Sequence, residues 1–326
     1  MPAFDDLNAL TQVTYPSGRV VSYTRDGEGR VDAVQWQENA AAPANALVSI
    51  TGFWPFGPAA QLTYGNGLAA SRTLSQDYSE TERTLGSLQD LSLGYDAAGN
   101  ITSRTDAINS ARSETFTYDA LNRLTAATGD YGSLAYAYDA NGNRLSRTLN
   151  SATESYSYAA GSNRLSQITG AAVRSFAYAA SGELAGDDRG IGQPYSFALN
   201  PEHRLASVSA NGALIAAYSY DGLDRRIRKT LADGTVTKYA YTPDGRVAAE
   251  LDQTNTSFRE TVYLDGVPLA ELTGTPGAST LHYLHADRIG QPRLVTDSAG
   301  TVVWDAMFQP FGTLQSAAGS GTARLS

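Results

Sequence analysis

His282 and His285 are the only closely spaced histidines in the chain. On a helix, a spacing of three would put both on one face, where they could hold a metal. On a strand, the same odd spacing sends them to opposite faces. Asp139-x-Asn141-x-Asn143 imitates the start of a calcium loop. It fails at Arg144, where that loop needs Gly, and at Asn150, where it needs Glu. Paired carboxylates can cleave glycosidic bonds, and Asp187-Asp188 and Asp221…Asp224 are carboxylate pairs close in sequence. Both occur in turn-like contexts, so solvated turn acids are the simpler reading. No Gly-rich loop joins a strand to a helix in the manner of a phosphate site. No serine is marked by a neighbouring general base. With no cysteine there is no disulfide, thiol chemistry or Cys-based zinc site. The residues therefore assign no catalytic group, no cofactor and no metal ligand.

The elements that carry these residues are repeated. Tyr95, Tyr118, Tyr138, Tyr158, Tyr178, Phe197, Tyr220, Tyr241, Tyr263 and Tyr283 follow one another at gaps of 23, 20, 20, 20, 19, 23, 21, 22 and 20 residues. A fixed period of this length means one small unit laid down many times. Thr115-Phe116-Thr117-Tyr118, Ala135-Tyr136-Ala137-Tyr138, Ser155-Tyr156-Ser157-Tyr158 and Ser175-Phe176-Ala177-Tyr178 alternate small or polar residues with aromatics. That period of two predicts strands. A polar turn follows most of the repeat aromatics, as at Asp96…Gly99, Asp119…Asn122 and Asp139…Gly142. The Asp caps backbone N–H groups, and the Gly or Asn takes the left-handed conformation. A second strand then opens with Arg and an aliphatic residue, as at Arg123-Leu124 and Arg144-Leu145. Each repeat reads as a β-hairpin. The first 85 residues are looser, with similar turns at Tyr15–Gly18 and Asp26–Gly29 and a Pro-rich turn at Trp54–Pro58.

Composition agrees. The 326 residues are 42% hydrophobic and 17% charged, too apolar for disorder. The net charge of −9 argues against a nucleic-acid partner. The N-terminus has no apolar segment of signal-peptide type, and no apolar run is long enough to span a bilayer. There are 19 Tyr against 9 Phe, which suits surfaces that are apolar on one side and wet on the other. The Tyr rows have two readings: packing across strands, or stacking on sugars. Packing is preferred, because the period superposes rings on neighbouring hairpins.

This repeat resembles the tyrosine–aspartate (YD) repeat of bacterial Rhs proteins, of the C components of insecticidal toxin complexes and of teneurins. The residues carrying the resemblance are Tyr95-Asp96, Tyr118-Asp119, Tyr138-Asp139 with Gly142, Tyr158, Tyr178, Tyr220-Asp221, Tyr241 and Tyr263. Two longer blocks add to it. Trp54–Pro58 with Tyr64–Leu68 is similar to a block that precedes the repeats in Rhs chains. Tyr283, His285, Asp287, Gly290, Pro292, Asp297, Gly300, Pro310, Phe311 and Gly312 are similar to the Rhs core signature. Tyr158-Ala159 and Tyr178-Ala179 keep only the aromatic, and Arg288-Ile289 stands where His-Leu is common.

The resemblance implies an all-β fold of antiparallel hairpins in a curved, spiralling sheet, part of a hollow shell. It divides the chain into residues 1–90 (N-terminal region), 91–282 (regular repeats), 283–315 (core signature) and 316–326 (flexible tail). The implied function is a non-catalytic segment of an Rhs polymorphic-toxin shell, enclosing or presenting a C-terminal toxin. The alternative is a surface module holding carbohydrate or protein on exposed Tyr rows. The implied partners are the toxin domain and a secretion apparatus, and the implied location is secreted or cell-surface, cytoplasmic before export. Family members continue past the Pro-Phe-Gly element into a core-closing segment, so a shell cut short is expected here. Self-association through an exposed edge around residues 283–312 is expected as well. Strand counting adds a limit: ten to twelve hairpins closed into one turn leave a lumen of roughly 20–27 Å. A compact 100-residue toxin is roughly 34 Å across.

Overall fold

A computed structural model of the chain describes residues 1–319, except 191 and 193. Among the described residues thirty strands, more than the expected ten to twelve hairpins supply, form one sheet in which successive strands pair antiparallel. The single helical turn among the described residues is the 3-10 turn Ser110–Arg112. The chain thus has the repeated-hairpin, all-β fold that its period of two predicts.

The hairpin around Asp139 shows why. Strands Gly132–Tyr138 and Arg144–Leu149 pair with Tyr136 opposite Arg147 and Ala137 opposite Ser146; the register then shifts at Tyr138, which faces Arg144. Asp139 Oδ1 accepts from the amides of Asn141 (2.9 Å) and Asn143 (2.8 Å). Gly142 sits at φ +87°. Its missing Cβ would meet nothing within 4 Å, so backbone conformation alone selects glycine there. Gly142→Val should therefore cost about 1–2 kcal/mol, and Ala140→Val much less. Equal shifts of the urea midpoint for the two variants would show that φ does not govern this turn.

The chain divides into two compact units. One comprises residues 1–94, 104–112 and 239–326, the other 95–103 and 113–238. In the first unit, the early hairpins and the late hairpins bury one another's inner faces. Val21, Val34, Leu47 and Val48 from the N-terminal strands join Val262, Ala270, Leu272 and Tyr283 in one cluster of buried residues. Strand Pro292–Thr296 is buried on both faces: Leu294, Val295 and Thr296 are all enclosed.

This corrects the expected exposed edge at residues 283–312. Tyr283, Leu284 and His285 are buried, and strands Ala278–Ala286, Pro292–Thr296 and Val302–Phe308 are paired with their neighbours. The last strand among the described residues is Leu314–Ala318, so Ser316, Ala317 and Ala318 are strand residues. The remainder of the expected tail, 320–326, lies outside the described residues.

The second unit buries little. Among its described residues, Thr115, Thr117, Ala135, Ala137, Ser155, Ser157, Ser175 and Ala177 form an exposed face of small side chains. The alternate positions carry the aromatics, and Leu134, Tyr136 and Ala127 form a small buried cluster.

Candidate functional site

The repeated element is the candidate site, and its geometry follows from three side chains. The first is the repeat tyrosine. Tyr138 Oη donates to Leu124 O (2.9 Å), Tyr158 Oη to Arg144 O (2.9 Å) and Tyr178 Oη to Leu165 O (2.8 Å). Tyr118, Tyr220 and Tyr263 do the same to Ile101, Leu205 and Val247. Each acceptor is at the start of the second strand of the preceding hairpin. In these six repeats one hydroxyl fastens hairpin to hairpin, which explains Tyr rather than Phe at this position.

The second is the arginine that opens the returning strand. Arg144 lies over the Tyr136 and Tyr156 rings (5.1 and 5.6 Å), Arg123 over Tyr138 (5.0 Å) and Arg164 over Tyr178 (5.7 Å). Such contacts are worth about 0.5–1 kcal/mol each at exposed sites. They also occupy ring faces that a sugar would need.

The third is the turn aspartate. Asp96, Asp119, Asp139 and Asp221 each accept from the amides two and four residues on. Side-chain bonding from Asn143 lowers the Asp139 pKa, and bonding from Asn100 lowers that of Asp96. At Asp252, bonds led by the Thr254 hydroxyl bring it to about 2. These pKa values are depressed in the folded state. The unfolded chain then binds more protons as pH falls from its own carboxylate range of about 3.9 toward the folded values. The stabilisation is complete above about pH 4 and is lost as pH drops through the folded pKa values. We expect thermal unfolding temperatures to fall steeply below about pH 4, and Asp139→Asn to blunt the fall. An acid limb unchanged by removing several turn aspartates together would contradict this.

The chemical candidates separate. His282 and His285 occupy opposite faces of one strand: His285 lies edge-on to the Tyr64 ring (4.6 Å), while His282 faces the other way, half-buried. Among the described residues no group of His, Cys, Asp or Glu could hold a metal ion. Asp139, Asn141 and Asn143 form a hairpin turn whose carboxylate is taken up by Asn143 Nδ2 (2.8 Å) and the two amides. Asp221 caps a turn, and Asp224 pairs with Arg204. Asp187 differs from its turn-like expectation: it is a buried strand residue, paired with Arg174 (2.6 Å) and Arg189 (3.1 Å). Its side chain and that of Asp188 point to opposite faces of the strand.

The two longer sequence blocks meet in the first unit. Asn66 Nδ2 donates to Thr296 Oγ1 and to Asp297 O, both at 3.0 Å, and Tyr64 packs edge-on against Tyr283 (5.8 Å). The core signature is itself three more copies of the repeat turn. Asp287 caps the turn closed by Gly290 (φ +82°) and leading into Pro292, and Asp297 caps the turn closed by Gly300 (φ +79°). Pro310-Phe311-Gly312 closes the third, with Gly312 at φ +84° and Phe311 exposed.

The sequence reading missed one cluster: Arg19 and Glu260, both fully buried, pair at 3.0 Å. Ser17 and Ser279 bond to them, and Glu38 lies 3.6 Å from Arg19. Nothing in a repeat period signals a pairing across 241 residues.

The teneurin YD-shell family matches residues 77–321, most of the chain, and the RHS repeat matches residues 4–35. The chain belongs to the YD-shell family. This YD-shell chain is 26% identical over 165 residues to double-stranded DNA deaminase toxin A of Burkholderia cenocepacia (strain H111), covering 41% of itself and 11% of that protein. Its fold is similar to the Tc holotoxin pore of Photorhabdus luminescens, with a TM-score of 0.80 at 19% identity, over 98% of this chain and 18% of that one. It is likewise similar to TcdB2-TccC3, with a TM-score of 0.72 at 18% identity, over 98% and 19% of the respective chains. The YD-shell chain thus spans about a tenth of the curated relative and about a fifth of these solved chains. No helix among the described residues is long and apolar enough to cross a membrane, which says nothing of β-barrels.

Proposed function

We propose that this chain is a non-catalytic wall segment of a toxin shell, acting by enclosing or presenting a C-terminal toxin polypeptide. The observation that carries the reading is the repeat itself: tyrosine and arginine are spent on fastening hairpin to hairpin, and aspartate on closing the turn within each hairpin. Membership of the YD-shell family and the likeness to Tc toxin structures support it. Tyr95, Tyr241 and the tyrosines with observed hydroxyl bonds are assigned the fastening role. The core signature is assigned the role of closing the first unit. Sequence boundaries at 90, 282 and 315 mark the N-terminal region, the repeats and that signature. Export would carry the protein from the cytoplasm through a secretion apparatus to the cell surface or beyond.

A carbohydrate-binding role for the Tyr rows has less support, because arginines cover several rings and the repeat hydroxyls donate internally. Protease protection tests the proposal. The toxin portion of the protein purified from its own cells should resist proteolysis while the native fold holds. The same toxin portion should be cut once the shell is unfolded in urea, so native and unfolded protein are compared. Equal cleavage of the toxin portion in the two would overturn the reading.

A further inference from the structure

Within the first unit a cavity of about 80 Å³ is lined by strands Ala59–Tyr64, Ala69–Leu74, Glu80–Leu85 and Ala278–Ala286. Its floor is apolar (Leu62, Ala70, Leu85), and its polar lining includes Tyr64, Arg72, Arg83 and His285. Arg72 and Arg83 are directly opposite across the strand pair. Like charges in that position repel, unless a counter-charge is supplied.

One carboxylate serves both. Glu80 receives Arg83 in a two-pronged pair, Nε to Oε1 and Nη2 to Oε2, each at 2.8 Å. Arg83 Nη1 donates to the Ala286 carbonyl. Arg72 has only its Nε near Glu80 Oε2, at 2.9 Å and without hydrogen-bond alignment. Its two Nη groups have no protein acceptor among the described residues. The nearby Asp287 is occupied by Arg293 and by its own turn amides.

Tyr64 completes the arrangement. Most repeat tyrosines spend their hydroxyl on a backbone carbonyl; that of Tyr64 meets no acceptor among the described residues, and it lies in the field of both arginines. Burial raises its pKa to about 12, so it remains a proton donor at neutral pH. His285 lines the wall, its Nε2 held by Thr296 Oγ1 (2.9 Å), and burial brings its pKa down to about 4. The ring is neutral there and adds no charge.

The pocket therefore has two cations, one shared carboxylate, unused guanidinium donors and an unused phenol. We propose that it binds a small oxyanion, a phosphate or carboxylate group, held by the Arg72 Nη groups and the Tyr64 hydroxyl. Arginine presents a planar fork that suits two oxygens of one such group.

Isothermal titration of the intact protein at constant ionic strength tests this, with inorganic phosphate and acetate as probes and chloride as reference. Saturable binding of at least one probe is expected. Arg72→Gln should weaken it about ten-fold or more, the loss of a charged hydrogen-bond donor. Tyr64→Phe should weaken it less. Arg30→Gln, which alters an exposed arginine, should leave it unchanged. Circular dichroism melts establish that each variant is folded; Arg72 is partly exposed, so Arg72→Gln should keep the fold. Binding of one probe alone, lost in Arg72→Gln, supports the site and identifies its ion. No saturable binding by the folded protein, or equal binding by folded Arg72→Gln, would overturn it.

Discussion

Replacing Arg19 by methionine should destabilise the first unit by about 3–5 kcal/mol, because it strands the buried Glu260 carboxylate without its cation. Neither side chain is exposed. Glu260 accepts from Arg19 Nη1 (3.0 Å), the Ser17 hydroxyl (2.8 Å) and the Ser17 amide (3.1 Å). Arg19 also donates to Ser279 Oγ (2.6 Å) and to the Thr275 carbonyl (3.2 Å). The pair joins segments 241 residues apart. All three tryptophans, Trp36, Trp54 and Trp304, lie in this unit, so their fluorescence follows its unfolding in urea. The double variant Arg19→Met with Glu260→Leu should recover much of the loss, since paired apolar groups leave no buried charge. Arg147→Met, which breaks a partly exposed pair with Glu154, should cost no more than about 1 kcal/mol. A loss at Arg19 as small as that expected for Arg147→Met would contradict this view of the first unit.

Gly65→Ala is the second severe change, expected to cost about 3 kcal/mol through overpacking. A Cβ at Gly65 would run into the Ala46 carbonyl and the Tyr283 hydroxyl. The Gly65 amide bonds to Leu47 O at 2.9 Å, so the strand carrying Ala46 has no room to retreat. Gly67 makes the comparison: it sits at φ +85° with nothing within 4 Å of its missing Cβ. Gly67→Ala should cost only the left-handed penalty of about 1–2 kcal/mol. Tryptophan fluorescence in urea reads both. Gly67→Ala proving the more harmful would mean that the approach of residues 65 and 46 is not tight.

Local features of the fold were legible because their causes are local. Alternation at Ser155–Tyr158 fixed which residues share a face, and Asp139 with Gly142 fixed a turn. Both act within a few residues. The hairpin array needed only its period. Contacts across the chain were not legible. Tyr64–Leu68 and the core signature were each singled out as sequence blocks, yet nothing in either indicates that Asn66 bonds to Thr296. The same holds for Arg19, which follows the Tyr15–Gly18 turn, and Glu260, in strand Phe258–Leu264. The expected exposed edge at 283–312 failed for a related reason. Its run of Leu284, Leu294, Val295, Trp304 and Phe308 is apolar on both faces of the sheet, and that pattern marks interior strands. At the level of the site, the excess of Tyr over Phe was the readable clue, and the hydroxyl-to-carbonyl bonds explain it. The arginine pocket gave no such clue, since Arg72 and Arg83 become neighbours only through strand register.

The most direct measurement of the wall proposal is a cryo-electron microscopy map of the protein purified from its own cells. The account predicts that the hairpin sheet lines an enclosed space holding additional polypeptide density, with the repeat tyrosines still bonded to neighbouring carbonyls. A map in which both faces of the sheet meet bulk solvent and no polypeptide is enclosed or held against it would contradict the proposal.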